Sequence, residues 1–182
     1  MLLGITACAT QNVTAATQPI TATTTPIIKP TKPALSLPEG PVAPVIKSDT
    51  WINTKPIAWN SLRGKVVMVE FWTFGCINCK NVTPSLKGMY ADYKDRGFTI
   101  LGVHSPEFDY EKQLPNVQKA VRDVGIKYPV AIDNDFANWR RYRNRYWPAL
   151  YLVDKRGIIR HTHIGEGGYE ETRRWIETLL AE

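Results

Sequence analysis

Two cysteines, Cys76 and Cys79, are separated by two residues at the point where an apolar segment is followed by a helical pattern. The amides and the dipole at a helix N-terminus favour a thiolate at the first of these positions. The second cysteine comes nearly one turn later, close enough to attack a mixed disulfide formed by the first. The spacing therefore predicts thiol–disulfide exchange, with Cys76 attacking the substrate and Cys79 resolving the mixed disulfide.

Two structural roles for the pair are less consistent with the sequence. A zinc site needs two further ligands, but there is no second cysteine pair, and His161 and His163 are closer in sequence than a zinc-finger histidine pair. A disulfide between neighbours on one helix closes almost no loop, so it would stabilise little. We expect no metal site and no cofactor other than the redox-active Cys76–Cys79 disulfide.

Glu70 is a third candidate catalytic residue. It lies six residues before Cys76, inside the otherwise apolar segment Val66–Trp72. Burial would raise the pKa of its carboxyl group, which could then take the proton from Cys79 as that thiol attacks the mixed disulfide. The alternative is that Glu70 points into solvent at the end of a strand.

The rest of the sequence predicts the elements that position these residues. Apolar runs and helical spacings predict strands at 66–72, 98–103, 128–132, 149–153 and 158–164, and helices at 76–93, 114–124, 136–142 and 169–181. The early alternation implies parallel crossovers, and the late hairpin adds antiparallel edge strands. We expect one α/β domain over residues 50–182, with a mixed central β-sheet flanked by helices.

Several motifs resemble a known family. They are Phe71-Trp72 before Cys-x-x-Cys, Pro84 eight residues after Cys76, and the segments 103–108, 146–149 and 165–169. Together they resemble the TlpA/ResA-type proteins, which reduce disulfides during cytochrome c maturation, and most of all the C-terminal thioredoxin-like domain of DipZ-type proteins. The resemblance covers about residues 50–182 and implies a thioredoxin-like fold, with a TlpA/peroxiredoxin-type helix–strand insertion at about 105–133.

The resemblance also implies a function and further site residues. It implies an oxidoreductase that reduces disulfide-bearing exported proteins and is itself re-reduced by a membrane electron donor. Pro148 matches the family's cis-proline, which contacts the substrate backbone, although an ordinary trans proline at the start of a strand is the alternative. We expect Trp147 and Trp72 to line the substrate groove. Ile77-Asn78 in place of Gly-Pro, and Val82 in place of an acidic residue, leave the redox potential and the substrate open.

Two other functions remain as alternatives. A thiol-dependent peroxidase would form a sulfenic acid on Cys76 beside an activating threonine and arginine. Thr73 lies three residues before Cys76, but no arginine is obviously placed. A Cu(I) carrier could use the two thiolates together with a histidine such as His104.

The N-terminal sequence predicts export and a membrane anchor. Ile5–Cys8 matches a bacterial lipobox, so we expect residues 1–8 to be a signal-peptide remnant with lipidation at Cys8, unless the match is accidental. Residues 9–49 follow as a predicted disordered tether, with eight threonines between positions 10 and 31 and seven prolines between positions 19 and 44. The predicted location is periplasmic or otherwise extracytoplasmic, with a lipid anchor at the membrane.

The charge distribution gives little evidence for a nucleic-acid partner. The formal net charge is +6, and the densest basic cluster lies at positions 140–145. Because no nucleic-acid-binding motif accompanies that cluster, we interpret it as a solvated helix face.

Overall fold

The computed structural model describes residues 40–182 of the chain. The predicted lipidation site Cys8 and most of the predicted tether at 9–49 lie outside the described residues. The described elements, in chain order, are β1 (Trp51–Ile52), β2 (Val66–Trp72), α1 (Ile77–Tyr93), β3 (Phe98–His104), α2 (Leu114–Val124), β4 (Val130–Ile132), α3 (Ala137–Arg141), β5 (Ala149–Val153), β6 (Ile159–Ile164) and α4 (Tyr169–Ala181). Within this range no helix combines the length and the apolar character needed to cross a bilayer.

The strands form one mixed sheet in the order β1-β4-β3-β2-β5-β6. Strands β2, β3 and β4 run parallel, whereas β1, β5 and β6 pair with their neighbours in the antiparallel direction. The predicted mixed central sheet is therefore confirmed. Strand β1 is an addition that the sequence did not predict, because two residues are too few to show a strand pattern.

Strand β2 is the centre of the sheet, and all seven of its residues are buried. Val66, Met68, Glu70 and Trp72 point to the side covered by α1, α2 and α4, and the intervening residues pack on the opposite side against α3 and the segment before β1. A strand covered on both faces reads as a continuous apolar run rather than an alternation. One charged residue, Glu70, interrupts that run, and it points toward α1.

The packed domain includes residues at least seven positions before the predicted start at residue 50. Ala43 and Ile46 are each only 3% exposed and belong to the core on the α3 side of the sheet. The Ala43 amide donates to the Gly157 carbonyl at 2.9 Å, and the backbone of Lys47 exchanges two hydrogen bonds with the Asn138 side chain. The prediction of a tether up to residue 49 is therefore wrong for its last residues. The segment was predicted to be a linker because it is rich in proline, although its apolar residues pack against the domain.

We expect Ile46→Ala to lower the free energy of unfolding by roughly 2–4 kcal/mol, because it removes buried methyl groups and leaves a cavity. Val45→Ala is the matched control, since Val45 is 40% exposed and should cost well under half as much. Urea unfolding of both variants measures the difference. Equal, small effects would mean that this segment is not part of the cooperative domain.

Candidate active site

The predicted site residues meet at one edge of the sheet. Parallel pairing places Trp72 at the end of β2 beside His104 at the end of β3, and antiparallel pairing places Phe71 opposite Ala149 at the start of β5. The Cys-x-x-Cys segment follows β2, and Pro148 precedes β5. The topology therefore brings both cysteines and Pro148 to the same edge, where the carboxyl ends of the parallel strands open into loops.

Cys76 is the N-cap residue of α1. Its backbone is extended, with φ −70° and ψ 120°, and its sulfur accepts a hydrogen bond from the Cys79 amide at 3.3 Å. The side chain is half-buried, so it can be reached from solvent. The free amides of the first helical turn face an N-cap sulfur and can donate hydrogen bonds to it. This is the environment that the sequence predicted for the attacking sulfur.

Cys79 lies on the inner side of α1 and is only 1% exposed. Burial is the largest cause that raises the pKa of its thiol, and the hydrogen bond with Cys76 and the charge of Glu70 raise it further. Neither cysteine forms a disulfide in this structure. A buried, protonated thiol is a poor nucleophile, so any attack by Cys79 requires a nearby proton acceptor.

Glu70 is fully buried, which excludes the solvent-facing alternative. Burial raises the pKa of its carboxyl group to about 7, and the hydrogen bond from Tyr128 partly opposes this rise. The Tyr128 hydroxyl donates to one carboxylate oxygen at 2.9 Å. The other oxygen, Oε1, has no hydrogen-bond partner among the described residues. Glu70 is thus a carboxylate of near-neutral pKa that interacts electrostatically with the buried thiol.

The Trp147–Pro148 peptide bond is cis, and Pro148 is buried. Trp147 is half-buried, and its indole N–H donates to the Ser105 carbonyl at 3.0 Å. Its ring packs against Trp139 with the ring centroids 4.3 Å apart. The loop before β5 is thereby fixed to the loop after β3. Substrate contact by Pro148 and Trp147 remains a prediction from the resemblance.

The structure corrects the role predicted for Trp72. This residue is only 3% exposed and belongs to the core beneath α1, so little of its ring is available to a protein substrate. It packs edge-to-face on His104 with the ring centroids 5.3 Å apart. The reason is its position on β2, where the even-numbered residues point to the side of the sheet that α1, α2 and α4 cover. Trp72 supports the site from behind.

His104 is a buried residue of the same edge. Its Nε2 lies 3.3 Å from the Thr73 hydroxyl, and its ring stacks on Phe74 with the centroids 5.6 Å apart. Burial lowers the pKa of the imidazole to about 4, so the ring is neutral at pH 7. The contacts make His104 part of the wall behind the Cys-x-x-Cys turn.

Glu111 is a site residue that the sequence analysis missed. Its buried carboxylate accepts hydrogen bonds from the amides of Gly75 at 2.6 Å, Glu107 at 2.6 Å and Phe108 at 3.0 Å. Glu111 thus connects the loop after β3 to the residue directly before Cys76. A glutamate three residues after the start of a turn is a recognisable capping signal. The bond to Gly75, which lies 36 residues away, has no such signal.

Comparisons with known proteins agree with this geometry. Protein DipZ of Mycobacterium tuberculosis is 49% identical over 142 residues, which are 76% of this chain and 20% of DipZ. The chain thus spans about a fifth of the length of that relative. Thiol-disulfide oxidoreductase ResA of Bacillus thuringiensis is 29% identical, over 71% of this chain and 72% of ResA. The predicted resemblance to DipZ and ResA is confirmed.

A comparison with solved structures gives a consistent result. A crystal structure of a thiol-disulfide isomerase from Corynebacterium glutamicum superposes with a TM-score of 0.68 and 26% identity, covering 77% of this chain and 97% of that one. The fold is therefore thioredoxin-like, as predicted. The model of the AhpC/TSA family matches residues 40–162. Since this match covers more than half of the chain, the protein belongs to the AhpC/TSA family.

Proposed function

We propose that the protein is a thiol–disulfide oxidoreductase that reduces disulfides in exported proteins. One observation carries the proposal: a half-exposed sulfur caps α1, and one turn later a buried thiol interacts with a buried carboxylate. A metal-binding or purely structural cysteine pair has no need for such a carboxylate. The names of ResA and of the isomerase from Corynebacterium glutamicum support the same class of reaction.

The residues suggest the following reaction. The Cys76 thiolate attacks one sulfur of a substrate disulfide, and the other substrate sulfur leaves as a thiolate. Cys79 then gives its proton to Glu70 and attacks the Cys76 sulfur. A Cys76–Cys79 disulfide forms, and the second substrate sulfur is released. Two electrons have passed from the enzyme to the substrate, and a membrane electron donor returns the enzyme to its dithiol state.

The cellular setting is also part of the proposal. An extracytoplasmic location and a lipid anchor are supported by the lipobox-like residues Ile5–Cys8 and by the Thr/Pro-rich composition that follows. The resemblance to TlpA/ResA-type proteins suggests apocytochrome c as a substrate, because its haem-binding cysteines must be reduced before haem attachment. An oxidised peptide that contains Cys-x-x-Cys-His is therefore a suitable first substrate.

The first test is the equilibrium potential of the Cys76–Cys79 couple, measured in glutathione or dithiothreitol buffers under argon. We expect a value near about −270 mV, that of thioredoxin, together with reduction of insulin disulfides. The variant Cys76→Ser is the control and should reduce no insulin. A value near about −120 mV would mean that the protein oxidises its substrates, and the reductive direction would be wrong. Fast peroxide consumption without insulin reduction would favour the peroxidase instead.

A further inference from the structure

Glu70 receives its hydrogen bond from a residue two strands away. Tyr128 lies two residues before β4, whereas Glu70 lies on β2, and β3 runs between them. Both side chains are fully buried, and the Tyr128 hydroxyl lies 2.9 Å from the Glu70 oxygen Oε2. The phenol must therefore cross β3 to reach the carboxylate.

The crossing point is Gly102. In the sheet this glycine stands opposite Glu70 on one side and Val130 on the other. A Cβ atom added at Gly102 would lie 3.2 Å from the Tyr128 ring and 3.0 Å from the Trp72 indole nitrogen, closer than side chains normally pack. The missing side chain on β3 leaves the space through which the tyrosine ring reaches Glu70.

Few other polar groups face this carboxylate. The titratable groups that interact with it are Tyr128, from the segment before β4, and Cys79, from α1. Its partners in the sheet, Gly102 on β3 and Leu150 on β5, carry no charge. Because Tyr128 occupies Oε2, the oxygen Oε1 is the one that can take a proton without displacing an existing hydrogen bond.

We propose that Tyr128 is a positioning residue for the active-site carboxylate: its phenol, crossing β3 over Gly102, holds one oxygen of Glu70 and leaves the other to accept the proton of Cys79. The inference rests on the proposed function, since it assigns a role within the same reaction. Tyr128 lies in the helix–strand insertion at 105–133. The insertion therefore supplies a functional side chain to the site in addition to structural support.

The phenol of Tyr128 also affects the pH at which Glu70 ionises. A hydrogen-bond donor favours the charged form of a buried carboxylate and so opposes the effect of burial on its pKa. Burial and the neighbouring Glu70 raise the pKa of Tyr128 itself well above its usual value, so the hydroxyl stays protonated and remains a donor. The pair thus keeps a fully buried carboxyl group able to accept a proton near neutral pH.

The test is Tyr128→Phe, which removes the hydroxyl and keeps the ring. We expect the pKa of Glu70, followed by carboxyl ¹³C NMR, to rise by about one unit because a hydrogen bond to a charged group is lost. The attack of Cys79 on a preformed mixed disulfide should then slow about fivefold at pH 7 and recover above pH 9. The matched control is Tyr142→Phe, because the Tyr142 hydroxyl is buried without a hydrogen-bond partner in the described structure.

A second variant perturbs the same Tyr128–Glu70 contact without removing the hydroxyl. Gly102→Ala keeps the phenol but displaces its ring, and it should shift the Glu70 titration in the same direction by a smaller amount. If Tyr128→Phe moves neither the NMR titration nor the pH profile more than Tyr142→Phe does, the positioning role is wrong. The NMR readout needs no turnover. A shifted titration in a protein without disulfide reductase activity would therefore refute the proposed function while keeping the Tyr128–Glu70 coupling.

Discussion

The Cys79→Ala variant should accumulate its substrate as a covalent mixed disulfide on Cys76. The half-exposed Cys76 sulfur can still attack a substrate disulfide, but the Cys79 thiol, which lies one turn away and would release the product, is gone. We expect turnover to fall to near background while a stable adduct forms in proportion to the enzyme. Non-reducing gels and intact-mass spectrometry, after incubation with an oxidised Cys-x-x-Cys-His peptide, measure the adduct directly.

The matched control separates attack from resolution. Cys76→Ser leaves the buried Cys79 as the only thiol of the pair, and burial raises its pKa, so this variant should form no adduct and show no turnover. If Cys79→Ala turned over at the wild-type rate and accumulated no adduct, resolution by Cys79 would be wrong. The reaction would then depend on an external thiol, and the burial of Cys79 would need a structural explanation.

The sequence was sufficient for features that depend on short-range patterns. The junction of β2 and α1 follows from an apolar run that ends directly before a helical segment, and it places Cys76 at the N-cap. The burial of Glu70 agrees with the same run, because a strand whose six other residues are all apolar is covered on both faces. The position of Pro148 at the same edge required the strand order, which the resemblance supplied.

The contacts that complete the site could not be predicted in this way. Glu111 binds the Gly75 amide across 36 residues, and Tyr128 binds Glu70 across 58 residues. No local pattern indicates which distant amide or carboxylate a side chain will meet. The signal for the second contact was indirect: Gly102 interrupts the apolar strand β3, and a glycine inside a strand often marks a close approach by another group.

The error at the domain start has a related cause. Proline and threonine make the sequence before residue 50 read as one long linker, because composition averages over the whole window. Ala43 and Ile46 lie in two short apolar pairs, Val42-Ala43 and Val45-Ile46, and their burial depends on the surface formed by β2, β3 and α3. Such a surface exists only once the chain has folded, so composition alone could not place the boundary.

Glu70→Gln should have opposite effects on activity and on stability. The amide cannot accept a proton from Cys79, so we expect the attack on the mixed disulfide to slow by about 10²-fold. In the wild type this rate should rise with pH through about 7, because only the ionised carboxylate acts as a base. The variant should lose that inflection. Rapid-mixing measurements of resolution at several pH values, with Tyr142→Phe as the control, test both statements.

The stability effect follows from the same carboxyl group. Its pKa is about 4.5 when exposed in the unfolded chain and about 7 in the fold, so the folded state binds the extra proton between these values. The wild type therefore loses stability as the pH rises from about 4.5 to 7, and the glutamine variant does not. Above pH 7 we expect Glu70→Gln to be more stable by roughly 3 kcal/mol in urea unfolding, and equally stable near pH 4. A variant that is less stable at pH 8 would mean that an unseen partner compensates the buried charge. In that case Glu70 would be a structural residue, and Cys79 would need another proton acceptor.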